Sequence, residues 1–168
     1  MLILGLDPGS RKTGYGLVEA RGSRLKIIEQ GCLAPPGNLD VPQRLGFLAD
    51  ALAELFGRQQ PGRVAVESTF HGPSTRSLIV LAQARGALLA EAARRGLEVC
   101  EYSPAEIKSA ITGSGRAPKE QVARMVGILL GADSRGWTAD ASDALAVAIC
   151  CARRYRMDGL TTAGRLRR

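Results

Sequence analysis

Three strand patterns near the amino terminus restrict the fold more than any other feature of this chain. A continuous apolar stretch, Leu2–Leu6, is followed by strand-like segments at Thr13–Ala20 and Leu25–Gly31. Residues 21–23 read Arg-Gly-Ser, which is typical of a turn, so the second and third strands should form a hairpin. The chain therefore begins with a three-stranded meander.

Helix and strand patterns alternate after the meander. Two further strands are predicted at Val64–Val66 and Val99–Tyr102, and five helices at Val41–Arg58, Ser77–Arg95, after Ser103, Ala117–Leu130 and Asp140–Tyr155. Ser103, Pro104 and Glu106 have the N-cap, N1 and N3 pattern of a helix start. The order β-β-β-α-β-α-β-α-α-α predicts an α/β fold, a mixed five-stranded sheet with helices on both faces.

The 168 residues suit one domain, which we predict over residues 1–157, followed by a basic tail over residues 158–168. No apolar run approaches the roughly 18 residues of a membrane span, and no basic leader precedes the first strand. We therefore expect a cytoplasmic protein with no membrane partner. Four cysteines without a C-x-x-C pair, and a single histidine, argue against a zinc site.

Net charge favours a polyanionic partner. The chain has 23 basic and 16 acidic residues, a formal charge of +7. Residues 152–168 contain six arginines and one aspartate. This balance is typical of nucleic-acid binding, although a tail that only improves solubility would have the same composition.

Four acidic residues are candidates for one site. Asp7 and Glu67 end two predicted strands, and the carboxyl ends of adjacent parallel strands meet at one edge of a sheet. Asp140 and Asp143 share one face at the start of the last helix. Each of these residues has an alternative explanation. Asp7 could belong to a turn, and Glu67 could lie at a solvated strand end. Asp140 and Asp143 could form a helix capping box.

A cluster of these four carboxylates would require cations. Two carboxylates about 4 Å apart repel by roughly 4 kcal/mol at an effective dielectric constant of 20. Oxygen ligands select Mg²⁺ or Mn²⁺, and two such ions about 3.5–4 Å apart hydrolyse phosphodiesters. A basic chain with such a cluster fits a metal-dependent nuclease.

The glycines that follow Asp7 offer a competing interpretation. Residues 9–16 match neither a Walker A loop nor a G-x-G-x-x-G motif. An Asp-x-Gly-Ser turn in a meander also occurs in actin-like and sugar-kinase ATPases, which leaves ATP hydrolysis as an alternative. Gly14 and Gly16 should allow a neighbouring element to approach the hairpin closely.

Apolar and small residues extend around most of the helix Ser77–Arg95, far beyond one stripe. One side can cover the sheet, and the other needs a neighbouring helix or a second subunit. We expect a homodimer.

Five segments in chain order carry a family resemblance: LGLDPGSRKTGYG, AVESTF, QARG, GSGRAPKEQV and DASDALAVAI. Together they resemble the RuvC-type Holliday junction resolvases, bacterial endonucleases with the ribonuclease H-like fold. The resemblance implies metal-dependent nicking of two strands of like polarity in four-way junction DNA, during recombination and repair. It also implies a homodimer that works with the RuvA–RuvB branch-migration complex. A junction-binding module without catalytic activity is the remaining alternative.

The resemblance also implies residue roles. The metal-binding catalytic carboxylates are Asp7, Glu67, Asp140 and Asp143, holding two Mg²⁺ ions per site, with Mn²⁺ able to substitute. Lys119 is expected beside the scissile phosphate, and the DNA contacts are Phe70, Arg76, Lys108 and Lys119. Phe70 would stack on an unpaired base, which contributes about 1–3 kcal/mol.

Overall fold

The computed structural model describes residues 1–9, 11–68 and 74–165, with side chains described as far as residue 157. The strands are β1 (Leu2–Asp7), β2 (Thr13–Arg21), β3 (Arg24–Leu33), β4 (Arg63–Glu67) and β5 (Glu98–Tyr102). The helices are α1 (Val41–Gln59), α2 (Thr75–Arg94), α3 (Pro104–Thr112), α4 (Lys119–Leu130) and α5 (Ala139–Arg165). The predicted order of elements is confirmed.

The five strands form one mixed sheet in the order β3-β2-β1-β4-β5. β1, β2 and β3 are antiparallel neighbours, and Gly22 has a positive φ of 61° in the turn between β2 and β3. β1, β4 and β5 are parallel, with Leu6 opposite Val66 and Glu67 opposite Tyr102. The carboxyl ends of these three strands therefore lie at one edge.

Helices cover both faces of the sheet, because side chains on each strand alternate between the faces. α1 and α2 cover one face, where the buried residues include Leu4, Leu6, Leu17, Val64, Leu52, Phe56 and Leu88. α3, α4 and α5 cover the other face, where they include Ile3, Val18, Ala65, Ile107, Val126 and Leu145. No helix in the described part of the chain is long and apolar enough to cross a membrane.

Three glycines allow α5 to lie directly on β1 and β2. A Cβ added to Gly5 would be 2.0 Å from the carbonyl oxygen of Ala144, and one on Gly14 would be 2.1 Å from that of Asp140. A Cβ on Gly16 would be 2.8 Å from the backbone nitrogen of Leu145. The element that approaches the hairpin is therefore α5, and the contact places the start of α5 beside the end of β1.

The helix starts settle one open alternative. Ser103 and Glu106 form the predicted capping box of α3. At α5 the cap is Thr138, whose Oγ1 accepts a hydrogen bond from the backbone nitrogen of Ala141 at 3.2 Å. Asp140 is therefore not an N-cap, and its carboxylate is available for another role.

The helix boundaries differ from those expected by one or two residues in α1, α2 and α4, and by more in α5. α4 begins at Lys119, because Pro118 takes the extended N-cap position. α5 continues to Arg165, ten residues beyond its predicted end at Tyr155. The division between a domain over residues 1–157 and a tail over residues 158–168 stays a prediction.

Candidate active site

Asp7 and Glu67 lie side by side at one edge of the sheet. Each is the last residue of its strand, and β1 and β4 are parallel neighbours in register at Leu6 and Val66. Buried strands hold both residues, since Leu6 and Val66 are almost completely inaccessible to solvent. The expected meeting of the two carboxylates at a sheet edge is confirmed.

α5 and α4 bring further charged groups to the same edge. A cleft of about 200 Å³ is lined by Asp7, Glu67, Asp143, Lys119, Arg85, Pro8 and Leu81. Asp143 comes from the first turns of α5, and Lys119 is the first residue of α4. Three of the four predicted carboxylates and the predicted lysine therefore line one cleft.

The electrostatics of Asp7 reflect this crowding. The pKa of Asp7 is raised to about 7, first by burial and then by the carboxylates of Asp143, Glu67 and Asp140 in that order of importance, while Lys119 opposes them. A carboxyl group with this pKa is partly protonated at neutral pH, because burial and the neighbouring carboxylates both disfavour its negative charge. Cations in the cleft would restore the ionised form.

Asp140 and Asp143, the two acids in the first turns of α5, each have a lysine partner. Lys119 Nζ lies 3.5 Å from Asp143 Oδ2, and the lysine side chain is 81% exposed. Asp143 accordingly raises the pKa of Lys119. Lys12 Nζ forms an ion pair with Asp140 Oδ2. Asp140 is close enough to influence Asp7, but it is not among the residues that line the cleft.

The carboxylates of the cleft have the chemistry of a site for a divalent metal ion. Carboxylate oxygens are the ligands that Mg²⁺ and Mn²⁺ prefer, and after burial the neighbouring carboxylates are the next cause of the raised pKa of Asp7. As the side chains stand, no three Asp, Glu, Cys or His residues of the described chain are grouped closely enough to hold an ion. The residues fit the metals in chemistry, and ion binding would have to draw the carboxylates together.

The predicted DNA-contact residues lie at different distances from the cleft. Lys108 lines an adjoining depression of about 150 Å³, which also includes Glu67, Lys119 and Asp143. Arg76 is exposed in the first turn of α2 and lines neither depression. Phe70 falls outside the described residues. The structure thus places Lys108 beside the carboxylates and leaves Arg76 apart from them.

Arg85 and Lys12 belong to this region but were not predicted. Arg85 is buried on α2, and its Nη2 lies 2.6 Å from Glu101 Oε2 on β5. A charged residue on the sheet-facing side of an apolar helix was an available signal for Arg85. No comparable pattern marked Lys12, because its partner Asp140 is more than 120 residues away in the chain.

Comparison with known proteins gave consistent matches. The family model described as crossover junction endodeoxyribonuclease RuvC matches residues 3–151. The protein of that name from Anaeromyxobacter dehalogenans is 51% identical over 150 residues, which are 89% of this chain and 80% of the relative. The relative from Moorella thermoacetica is 46% identical over 89% of this chain and 90% of its own length.

Solved structures agree with these matches. Thermus thermophilus RuvC in complex with a Holliday junction substrate has a TM-score of 0.88 and 31% sequence identity, covering 94% of this chain and 96% of that chain. The yeast mitochondrial Holliday junction resolvase Ydc2 has a TM-score of 0.65 at 14% identity over 94% of this chain and 82% of its own, and supports the fold alone.

Proposed function

Because the chain belongs to the RuvC family of crossover junction endodeoxyribonucleases, we propose that its carboxylate cleft cuts Holliday junctions with the help of divalent metal ions. The observation that carries this proposal is the convergence of Asp7, Glu67 and Asp143 on one cleft. Family membership favours the nuclease over the ATPase interpretation of the glycine-rich turn.

Four carboxylates would hold the metal ions. Asp7 and Glu67 project from the ends of rigid strands, while Asp140 and Asp143 project from α5, which Gly5, Gly14 and Gly16 allow to approach the sheet. We assign two ions to the site, Mg²⁺ with Mn²⁺ able to substitute. When bound, such ions supply an activated water and neutralise the leaving oxygen of a phosphodiester.

Lysines would complete the binding of DNA at the cleft. Lys119 is highly exposed while its ammonium remains near Asp143, so it can donate hydrogen bonds to a phosphate seated over the carboxylates. Lys108 lines the adjoining depression and would contact a neighbouring phosphate. We also assign base stacking to Phe70 and a DNA contact to Arg76, from the family pattern.

A homodimer would pair two such clefts. The solvent-facing side of α2 presents Ile79, which is 54% exposed, together with the small exposed residues Ala82, Gly86 and Ala90. Small residues permit close approach of a second helix, and a two-fold axis would relate two cuts on strands of like polarity. The sheet-facing side of the same helix brings Leu81 and Arg85 to the cleft. Cooperation with the RuvA–RuvB complex is proposed from the family alone.

A junction-cleavage assay tests this function. The full chain is incubated with a labelled four-way junction in Mg²⁺, in Mn²⁺ or in EDTA, and a linear duplex of the same sequence is the control. We expect paired nicks at symmetry-related positions with either metal, and an intact duplex. Nicking in EDTA, equal cutting of the duplex, or junction binding without any nicking would overturn the proposal.

A further inference from the structure

One of the four candidate carboxylates, Asp140, forms an ion pair that was not predicted. Lys12 Nζ contacts Asp140 Oδ2, with 51% of the lysine side chain and 27% of the aspartate side chain exposed. Lys12 immediately precedes β2, and Asp140 is the second residue of α5. The connection between β1 and β2 therefore places the positive charge of Lys12 beside Asp140.

Backbone contacts hold both ends of this pair. A Cβ on Gly9 would lie 2.3 Å from the carbonyl oxygen of Lys12, so the turn folds tightly against the residue that carries the ammonium. Two residues after Lys12, Gly14 lies against the backbone of Asp140, where a Cβ would be 2.1 Å from the carbonyl oxygen. The pair is thus built between two segments whose backbones are already in contact.

A divalent ion bound to Asp140 would compete with the ammonium of Lys12 for one carboxylate. Asp140 Oδ2, the atom that contacts Lys12, has almost no solvent-accessible surface. A metal ion that used this oxygen would have to displace the lysine or share the carboxylate with it. Asp143, which also lies in the first turns of α5, is paired more loosely, at 3.5 Å from Lys119.

We propose that Lys12 is a positioning residue that holds Asp140 in the metal-free protein and competes with the metal ion for this carboxylate. Lys12 thereby sets the affinity of the metal position that Asp140 completes. This inference rests on the proposed function, because it takes Asp140 to be a metal ligand. It distinguishes the two acids in the first turns of α5: the position at Asp140 would fill at a higher metal concentration, because its ion pair with Lys12 is closer than that of Asp143 with Lys119.

Mn²⁺ binding to the full chain without DNA tests the inference. Free Mn²⁺ is measured by electron paramagnetic resonance during titration of the wild type, Lys12→Met, Asp140→Asn and the double variant, each checked for folding by circular dichroism. Removing an ion pair of this exposure should tighten the weaker Mn²⁺ position about fivefold. Arg11→Met is the matched control, since it removes the same charge from the neighbouring exposed residue, and we expect less than a twofold change.

The double variant separates the possible outcomes. If Lys12 acts through Asp140, Lys12→Met has no further effect once Asp140→Asn is present. Unchanged affinity in Lys12→Met, with weakened binding in Asp140→Asn, would overturn the role of Lys12 and leave the proposed ligand set intact. If Lys12→Met tightened Mn²⁺ binding equally with and without Asp140→Asn, the effect would be a general one of charge. That result would also overturn the proposed role of Lys12. Unchanged Mn²⁺ binding in Asp140→Asn would instead remove Asp140 from the proposed ligands.

Discussion

The backbone of Asp140 lies against Gly14, so closely that a Cβ on Gly14 would be 2.1 Å from the Asp140 carbonyl oxygen. Gly14 is also the residue opposite Asp7 in the pairing of β1 with β2. Of the three glycines that lie against α5, Gly14 is therefore the one that connects the acid at the end of β1 with the acids at the start of α5. Assembly of the site depends on the absence of a side chain at this position.

Substitution of Gly14 tests this dependence. Gly14→Ala should destabilise the fold by about 1–3 kcal/mol, because backbone atoms of α5 must move to admit the methyl group. Junction cleavage should fall as well, since the acids of α5 move with them. Gly46→Ala is the control: it lies in α1, where no described atom is within 4 Å of an added Cβ. Urea denaturation that gave equal stability for Gly14→Ala and the wild type would contradict the packing account.

The raised pKa of Asp7 predicts a pH dependence of stability in EDTA. The folded protein holds a proton up to pH about 7, whereas the unfolded chain loses it near the ordinary value of 3.8. Stability should therefore fall as the pH rises from about 4 to about 7 and stay low above that. Asp7→Asn removes this loss and should be more stable than the wild type at pH 8 by roughly 2–4 kcal/mol, with little difference near pH 4.

Urea denaturation of the wild type and Asp7→Asn at several pH values measures this effect. Added Mg²⁺ should stabilise the wild type at pH 8 more than the variant, because bound cations favour the ionised carboxylate. Parallel pH profiles for the two proteins would show that the fold does not raise the pKa of Asp7.

Lys119 should affect the rate of cleavage more than the binding of DNA. Lys119→Met removes one positive donor from the cleft, and we expect the single-turnover cleavage rate to fall about 100-fold. Junction affinity should change little, because Lys119 is only one of the 23 basic residues of the chain. Lys26→Met, at an exposed position of β3 far from the cleft, is the matched control. An equal loss of rate in both variants would assign Lys119 a general electrostatic role.

The proposed dimer can be tested with two helical glycines. Gly86 on α2 and Gly57 on α1 are both exposed, and no described atom lies within 4 Å of a Cβ at either position. Gly86→Glu should convert a dimer into monomers at micromolar concentration in sedimentation velocity, because a buried charge opposes association. Gly57→Glu should sediment as the wild type does. A dimer that persists in Gly86→Glu would exclude this face of α2.

The sequence was sufficient for the order of elements, the sheet edge shared by Asp7 and Glu67, and the proximity of Lys119. These features follow from local patterns: apolar periodicity, strand ends and the family motifs. The sequence did not identify Thr138 as the cap of α5, because a threonine and an aspartate two residues apart are both good caps. The Lys12–Asp140 and Arg85–Glu101 pairs depend on how distant segments meet in space, which local patterns do not encode.

Cleavage by Asp7→Asn in Mg²⁺ tests whether the acids of β1, β4 and α5 form one metal-dependent catalytic site. The substitution keeps the size of the side chain and removes its charge. We expect nicking of a four-way junction to fall more than about 100-fold, since even residues that only support metal ligands contribute 10–100-fold. Binding of the junction in moderate salt should be retained. Nicking at the wild-type rate by the folded variant would contradict the account.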